Sequence, residues 1–394
     1  MIASGSMAGL AALSGCGSNE PKATVAPPAA TSPSPSPSPS ASPSPAFDGL
    51  PGMPPPVSTA DVYAASAPGK FSEAVKGARE LVYVPHNNSN DVWVIDPKTF
   101  QVIDKYYGGE EPQHIVPSYD MTTLYVTADK VPAGSLIPID PKTGKPGEAI
   151  MLQDPYNLYF TPDGKYAIVV AEWYKRLDFY ELGTWKLHKQ LSVPECAGVN
   201  HMDFTTDGKR ALVTCEFANK LIAVDMTTLE QVQTFQLDRV PNGMPQDSRL
   251  APDGKTFFVA DMHADGVYMF DGQATKQTGF IPTGKGAHAA YFSRDSKRMF
   301  VTNRGEGSVT VVDPATYQVL TKWRIPGGGS PDMGSVSADG TQLWLSGRYH
   351  DEVYVLSTED GRLLARIPVG SGPHGLTYWP QPGRFSLGHT SNIR

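Results

Sequence analysis

Residues 200–217 read "NHMDFTTDGKRALVTCEF": a histidine, a short alternating run, an Asp-Gly turn and a second run ending at Cys215 and Glu216. Asp-Gly between two apolar runs is a strong hairpin signal, because both turn residues need positive φ. Four such pairs, in "TPDGK", "TTDGK", "APDGK" and "SADGT", recur at one place in the chain's period. They belong to one register, Asp120, Asp163, Asp207, Asp253, Asp295 and Asp339, at intervals of 42 to 46 residues, with Gly383 in "PQPGR" 44 after the last. A second register, Asp96, Asp140, Glu181, Asp225, Asp271, Asp313 and Ser357, closes strands such as "DVWVID", "KLIAVD" and "SVTVVD" at intervals of 41 to 46. Two registers with one period mean an internal repeat.

Each period holds four short strands, here "MDFTT", "RALVTCE", "KLIAVDM" and "QVQTFQL". Seven such units predict an all-β fold, a seven-bladed β-propeller of four-stranded blades over residues 81–380. The first unit begins with its second strand, and the run at residues 376–379 supplies its innermost one. That clasp closes the ring and removes the open edges of a linear array. Residues 61–80 read as a lead-in segment, and residues 381–394 as a tail with no place in the repeat.

The other end carries an address. "MIASGSMAGLAALSGCGSN" is small and apolar up to Leu13-Ser14-Gly15-Cys16 and too short to span a bilayer. Leu-Ser-Gly-Cys resembles the bacterial lipobox, which makes residues 1–15 a lipoprotein signal peptide and Cys16 the lipidated residue. The basic segment that usually opens such a leader is missing, which points to a start upstream. Residues 16–60, with "SPSPSPSPSASPSP", cannot build a core and read as a disordered stalk. The expected location is therefore outside the cytoplasm, anchored to the bacterial cell membrane. A formal charge of -7 with no Lys/Arg cluster excludes a general nucleic-acid binder. The chain is expected to act as a monomer touching the membrane through its anchor alone.

Chemistry is expected on the face opposite the Asp-Gly turns. The seven lead-ins to the innermost strands, "EPQH", "DPYN", "GVNH", "MPQD", "KGAH", "GSPD" and "SGPH", end at His114, Asn157, His201, Asp247, His288, Asp332 and His374. Imidazoles and carboxylates around one axis suit Zn, Cu or another first-row metal, and Met202, Met244, Met262 and Met333 would favour copper. His114, Asn157, His201 and Asp247 stand six residues before the turn, whereas His288 and Asp332 stand seven before it. Side chains alternate along a strand, so one ring or two sub-clusters are both open. A purely structural role, tying blade to blade, is open as well.

An outer ring on the same face comprises His86, Glu172, Glu216, Asp261 with His263, Arg304 and Arg348. Acidic on one arc and basic on the other, it could grip a polar or zwitterionic molecule. Trp173 stands at one of these strand exits. Cys196 and Cys215 flank one innermost strand; a disulfide, metal ligation beside His201 and two free thiols are the alternatives. No Cys-x-x-Cys-His, Gly-x-Ser-x-Gly, His-Glu-x-x-His or phosphate loop occurs.

"FVTNRGEGSVTVVDPATYQVLTKWRIPGGGSPD" and "LYVTADK" resemble the YVTN-repeat β-propeller family, over residues 81 to about 380. The resemblance implies an extracytoplasmic propeller and leaves activity open, since the broad fold also serves nitrous oxide reductase, haem d1 nitrite reductase and secreted lactonases. The expectation is a lipid-anchored binding module whose His/Asp face takes a metal ion, a small ligand or an envelope protein. The alternative is a lactonase-like or metal-dependent hydrolase on the same face, with Glu172 or Glu216 as general base.

Overall fold

The computed structural model describes residues 47–389 and 392–394; Cys16, the leader and most of the Pro/Ser stretch lie outside the described residues. Seven antiparallel sheets form a closed ring, one per repeat. Blade 1 combines Leu81–His86, Asp91–Asp96 and Gln101–Tyr107 with Thr377–Trp379 as its innermost strand. Leu81 pairs with Trp379 and Tyr83 with Thr377, which is the expected clasp. The innermost strands of blades 2 to 7 are Pro112–Pro117, Pro155–Phe160, Val199–Phe204, Pro245–Leu250, Ala287–Phe292 and Pro331–Val336. Successive members pack together around a central channel, with Thr377–Trp379 between blades 7 and 2. Blade 2 departs from four strands. Its outer edge is split into Lys145–Pro146 and Ile150–Leu152, both paired to Gly134–Asp140, because Pro146 has no N–H to continue the ladder.

Burial follows distance from the axis. Val199–Phe204 is buried at every residue, whereas the outer strand Glu230–Gln236 alternates between exposed and half-buried. Apolar side chains meet between neighbouring blades, as where Trp344 packs with Val82, Val84 and Tyr378.

The turns differ from the expected type. Only the second residue has positive φ: Gly164, Gly208, Gly254 and Gly340 at 69–82°, with Met121 and Ser296 in the same role. The aspartate instead braces a four-residue loop. Asp163 Oδ1 accepts Thr161 Oγ1–H (2.6 Å) and the Lys165 N–H (3.2 Å), and equivalent Ser/Thr–Asp bonds recur at Asp120 and Asp295. Gly383, although in register, makes no hairpin; its N–H donates to Lys70 O at 2.9 Å.

Both flanking segments close the turn face. The Leu50 N–H donates to Asp207 O (2.7 Å), the Val62 N–H to Pro252 O (2.7 Å) and Tyr63 OH to Leu250 O (2.8 Å). The compact unit thus begins at Phe47 rather than after residue 60, because Leu50 is buried in the core of blades 3 and 4 and Met53 packs on it. The tail runs into the channel. Leu387 O accepts the Phe160 N–H (3.0 Å), the His389 N–H reaches Leu158 O (2.9 Å), and Phe385 and Leu387 are buried.

Candidate functional site

A β-bulge opens the innermost strand of each of blades 2 to 7, setting two residues against one on the next strand. A bulge leaves an N–H outside the ladder. A hydroxyl of the facing strand takes it: His114 N–H to Thr127 Oγ1 (3.1 Å), His201 N–H to Thr214 Oγ1 (2.9 Å) and Ala289 N–H to Thr302 Oγ1 (3.0 Å). This explains the recurring Val-Thr of "LYVTA", "ALVTC" and "FVTN". It also reconciles the two turn spacings. His114 and His201 occupy the second bulge position and His288 and Asp332 the first, yet the bulge aims both toward the channel.

Two convergent groups result: His114 with His201 and His389, and His288 with Asp332 and His374, each with its ligand atoms within 4.8 Å of one another. All six side chains are buried. The groups adjoin, the His114 and His374 rings lying 4.7 Å apart. Burial first, helped by neighbouring cationic groups, lowers every imidazole, His114 to about 3 and His288 to about 4, so all five are neutral at pH 7. Burial alone would raise Asp332, but the Arg304 guanidinium, 3.1 Å from its Oδ1, overcomes it and holds it well below the usual carboxyl range.

Hydrogen bonding separates the groups. The Asn157 oxygen is held by the Leu158 N–H (2.8 Å), so its amide nitrogen donates to Nδ1 of both His201 (3.0 Å) and His389 (3.1 Å). Their hydrogens therefore sit on Nε2. His114 is the reverse: Nδ1–H donates to Tyr156 O (2.9 Å), leaving Nε2 as acceptor. Two N–H groups and one lone pair suit a hydroxyl or water better than a cation. In the second group Gln113 Nε2 donates to Asp129 Oδ2 (3.0 Å), which turns Gln113 Oε1 toward His374 Nδ1–H (3.0 Å). His374 Nε2 then faces Asp332 Oδ2 at 3.7 Å, lone pair to lone pair, and that oxygen has no hydrogen-bond partner. His288 Nδ1 lies 2.9 Å from Asp332 Oδ1 without hydrogen-bond alignment. A carboxylate and two imidazoles, one held by an outer amide–carboxylate pair, fit a first-row metal ion.

The remaining expected residues fall elsewhere. Asp247 is in neither group; Arg249 Nε (3.2 Å) and the Ala290 N–H (3.1 Å) hold it, with His389 Nε2 at 3.8 Å. His86 is a buried fastener between Asp91 (3.0 Å) and the Gly370 N–H (3.1 Å). Asp261 Oδ1 organises its loop through the Met244, His263 and Ala264 N–H groups, while His263 Nδ1 bonds Asn242 O (2.6 Å). Met202 and Met333 pack in cores between blades, and Met262 Sδ faces Arg304, so these three thioethers lend copper no support. Glu172, Glu216, Arg304 and Arg348 do ring the channel mouth: Glu172 and Glu216 repel each other, Arg304 Nη1 reaches Asp332 (3.1 Å), and Arg348 acts electrostatically on His114, His288 and His374. Cys196 and Cys215 form a disulfide, with Cα atoms 4.7 Å apart, which removes the metal-ligand and free-thiol alternatives. Sequence reasoning missed His389, for which no repeat register exists, and Gln113 and Tyr156, which aligning the residue before each chosen position would have found.

This geometry defines a propeller with a polar, imidazole-lined channel. The model of the YNCE-like beta-propeller family matches residues 50–382, and the chain belongs to that family. No curated protein matches it. Among solved structures it is similar to a functionally unknown protein from Desulfotomaculum acetoxidans (15% identity, 75% of this chain and 98% of that one, TM-score 0.61). It is similar also to a protein provisionally described as a 6-phosphogluconolactonase from Bacteroides uniformis (16%, 76% and 99%, TM-score 0.60). A third is hydrazine synthase of Kuenenia stuttgartiensis (19%, 66% and 87%, TM-score 0.55). At these identities the likeness is one of fold.

Proposed function

We propose that the protein is a lipid-anchored, extracytoplasmic binding module whose propeller holds a divalent first-row transition-metal ion on His288, Asp332 and His374. The observation that carries this is the facing of His374 Nε2 and Asp332 Oδ2, two buried acceptors 3.7 Å apart that need a cation between them. The neutral imidazoles and ionised carboxylate are already in the protonation states a metal requires. The lipobox-like Leu13–Cys16 run and the Cys196–Cys215 disulfide favour an oxidising compartment.

Equilibrium dialysis of untagged protein against zinc tests the metal. One ion per chain is expected, lost in His374→Ala and Asp332→Asn and kept in His201→Ala. Zinc bound equally by wild type and Asp332→Asn would refute the site. A chelator-sensitive esterase or lactonase activity would instead favour the hydrolase.

A further inference from the structure

Tyr156 forms the floor of the channel mouth. Its side chain is 8% exposed, and its ring lies 5.2 Å from that of His114 and 6.4 Å from that of His374. No described residue hydrogen-bonds its hydroxyl, which lies within electrostatic reach of Glu172, Glu216 and Asp129 on one side and of Arg348 on the other.

The acidic side holds more acceptors than donors. The Glu172 carboxylate has no hydrogen bond or ion pair from any described residue. Glu216 Oε2 accepts from Asn200 Nδ2 (2.6 Å), the Gln246 side chain and Arg304 also favour its charged form, and Asn200 Oδ1, on a fully buried residue, has no partner. Asp129 Oδ1 is buried and unpartnered as well. Across the mouth, Arg348 Nη1 is a buried donor without an acceptor. The buried ones, Asn200 Oδ1, Asp129 Oδ1 and Arg348 Nη1, cost free energy until a partner satisfies them, while the half-buried Glu172 and Glu216 carboxylates remain partly open to an incoming ligand.

The acidic side is not built as a three-ligand cage for a single ion. Ligand oxygens around one cation lie within about 5 Å of one another, twice the longest metal–oxygen bond. Among the described residues the groups that converge so closely are the two imidazole groups, and Glu172, Glu216 and Asp129 are in neither. The occupant must therefore be larger, with several donors at one end and a carboxylate at the other. Three of these charges are followed by an exposed aromatic ring, Trp173 after Glu172, Phe217 after Glu216 and Tyr349 after Arg348, at 74, 61 and 67% exposure. Such rings would border the aliphatic part of an organic ligand.

We propose that the channel mouth binds a free basic amino acid, its guanidinium or ammonium on Glu172 and Glu216, its carboxylate on Arg348 and the Tyr156 hydroxyl beneath. This site is separate from the metal and does not depend on it. Burial, then repulsion from Glu216, Asp129 and Asp154, pushes Glu172 well above the ordinary carboxyl range. A bound cation relieves that penalty, so binding near neutral pH releases a proton and tightens as pH rises.

Isothermal titration of the chelator-treated protein with L-arginine, L-lysine and agmatine, which lacks the carboxylate, tests this. L-Arginine is expected to bind with a heat that depends on the buffer's ionisation enthalpy. Glu172→Gln with Glu216→Gln should weaken it at least tenfold. Arg348→Met should weaken L-arginine while leaving agmatine unchanged, a split that misfolding would not produce. Absence of binding by both amino acids, equal binding by the Glu variant, or loss of agmatine with Arg348→Met would overturn the proposal. Binding confined to an arginine-containing peptide would overturn the free amino acid as ligand. Because the titration is metal-free, failure of the zinc site leaves the result unchanged.

Discussion

Arg394 Nη2 donates to both oxygens of Asp203, at 2.8 and 3.1 Å, inside the channel and across the sheet of blade 4. Asn392 Nδ2 (3.0 Å) and the Leu250 N–H (2.7 Å) reach the same carboxylate. Asp203 therefore locks tail, blade 4 and blade 5 together. Asp203→Ala leaves a buried guanidinium without a counter-charge and should cost about 3–5 kcal/mol. Arg394→Ala should cost less, because Asp203 keeps its three other donors, including the Phe204 N–H. Urea midpoints of the two variants, compared with wild type, check this; the reverse ranking would refute the lock.

Thr214 performs two tasks at one bulge, accepting the His201 N–H (2.9 Å) and donating to His201 O (3.2 Å). Thr214→Val keeps the shape and strands a fully buried N–H. The expected loss is about 1–3 kcal/mol. Zinc stoichiometry should not change, since His201 is outside the proposed metal group. Chemical denaturation and dialysis of this single variant give both readouts.

Much of this architecture was legible because it repeats. The Asp registers gave seven units, and the clasp followed from counting strands. Turn geometry was misjudged because the hydroxyl two residues before Asp163 matters as much as the glycine after it. The site was half legible. His114, His201, His288, Asp332 and His374 share a place in the period, but only the bulge, a local backbone feature, shows that a one-residue offset does not reverse their direction. His389 was illegible. It reaches His201, rings 4.5 Å apart, by a tail path that no periodicity encodes.

The Cys196–Cys215 bond closes a loop of sequence separation 19 just before Glu216. Removing a cross-link over a loop of this size should cost about 3 kcal/mol by the chain-entropy account. Cys196→Ser with Cys215→Ser, or reductant added to the wild type, should lower the thermal midpoint by similar amounts. A midpoint unaffected by reductant would mean the thiols are not bonded in solution.

Two sets of buried groups make stability depend on pH in opposite senses. Burial raises Asp154 from the ordinary 3.8 to about 7, so between these values the folded chain holds a proton that the unfolded chain has lost. That contribution is present below about pH 4 and is lost as pH rises toward 7. The channel histidines act the other way. His288, lowered by burial and by Arg304 to about 4, folds uncharged and gains a proton on unfolding at any pH between 4 and about 6.5, so its contribution is lost as pH falls through that window. Asp154→Asn can still accept the Tyr174 N–H through its amide oxygen, a bond now 3.2 Å long, and no longer ionises on unfolding. Relative to wild type it should gain stability from pH 4 to pH 8. His288→Gln should instead narrow the loss between pH 6.5 and 4. Urea denaturation of the three proteins at pH 4, 6 and 8 separates the two slopes, and parallel pH profiles for all three would refute both assignments.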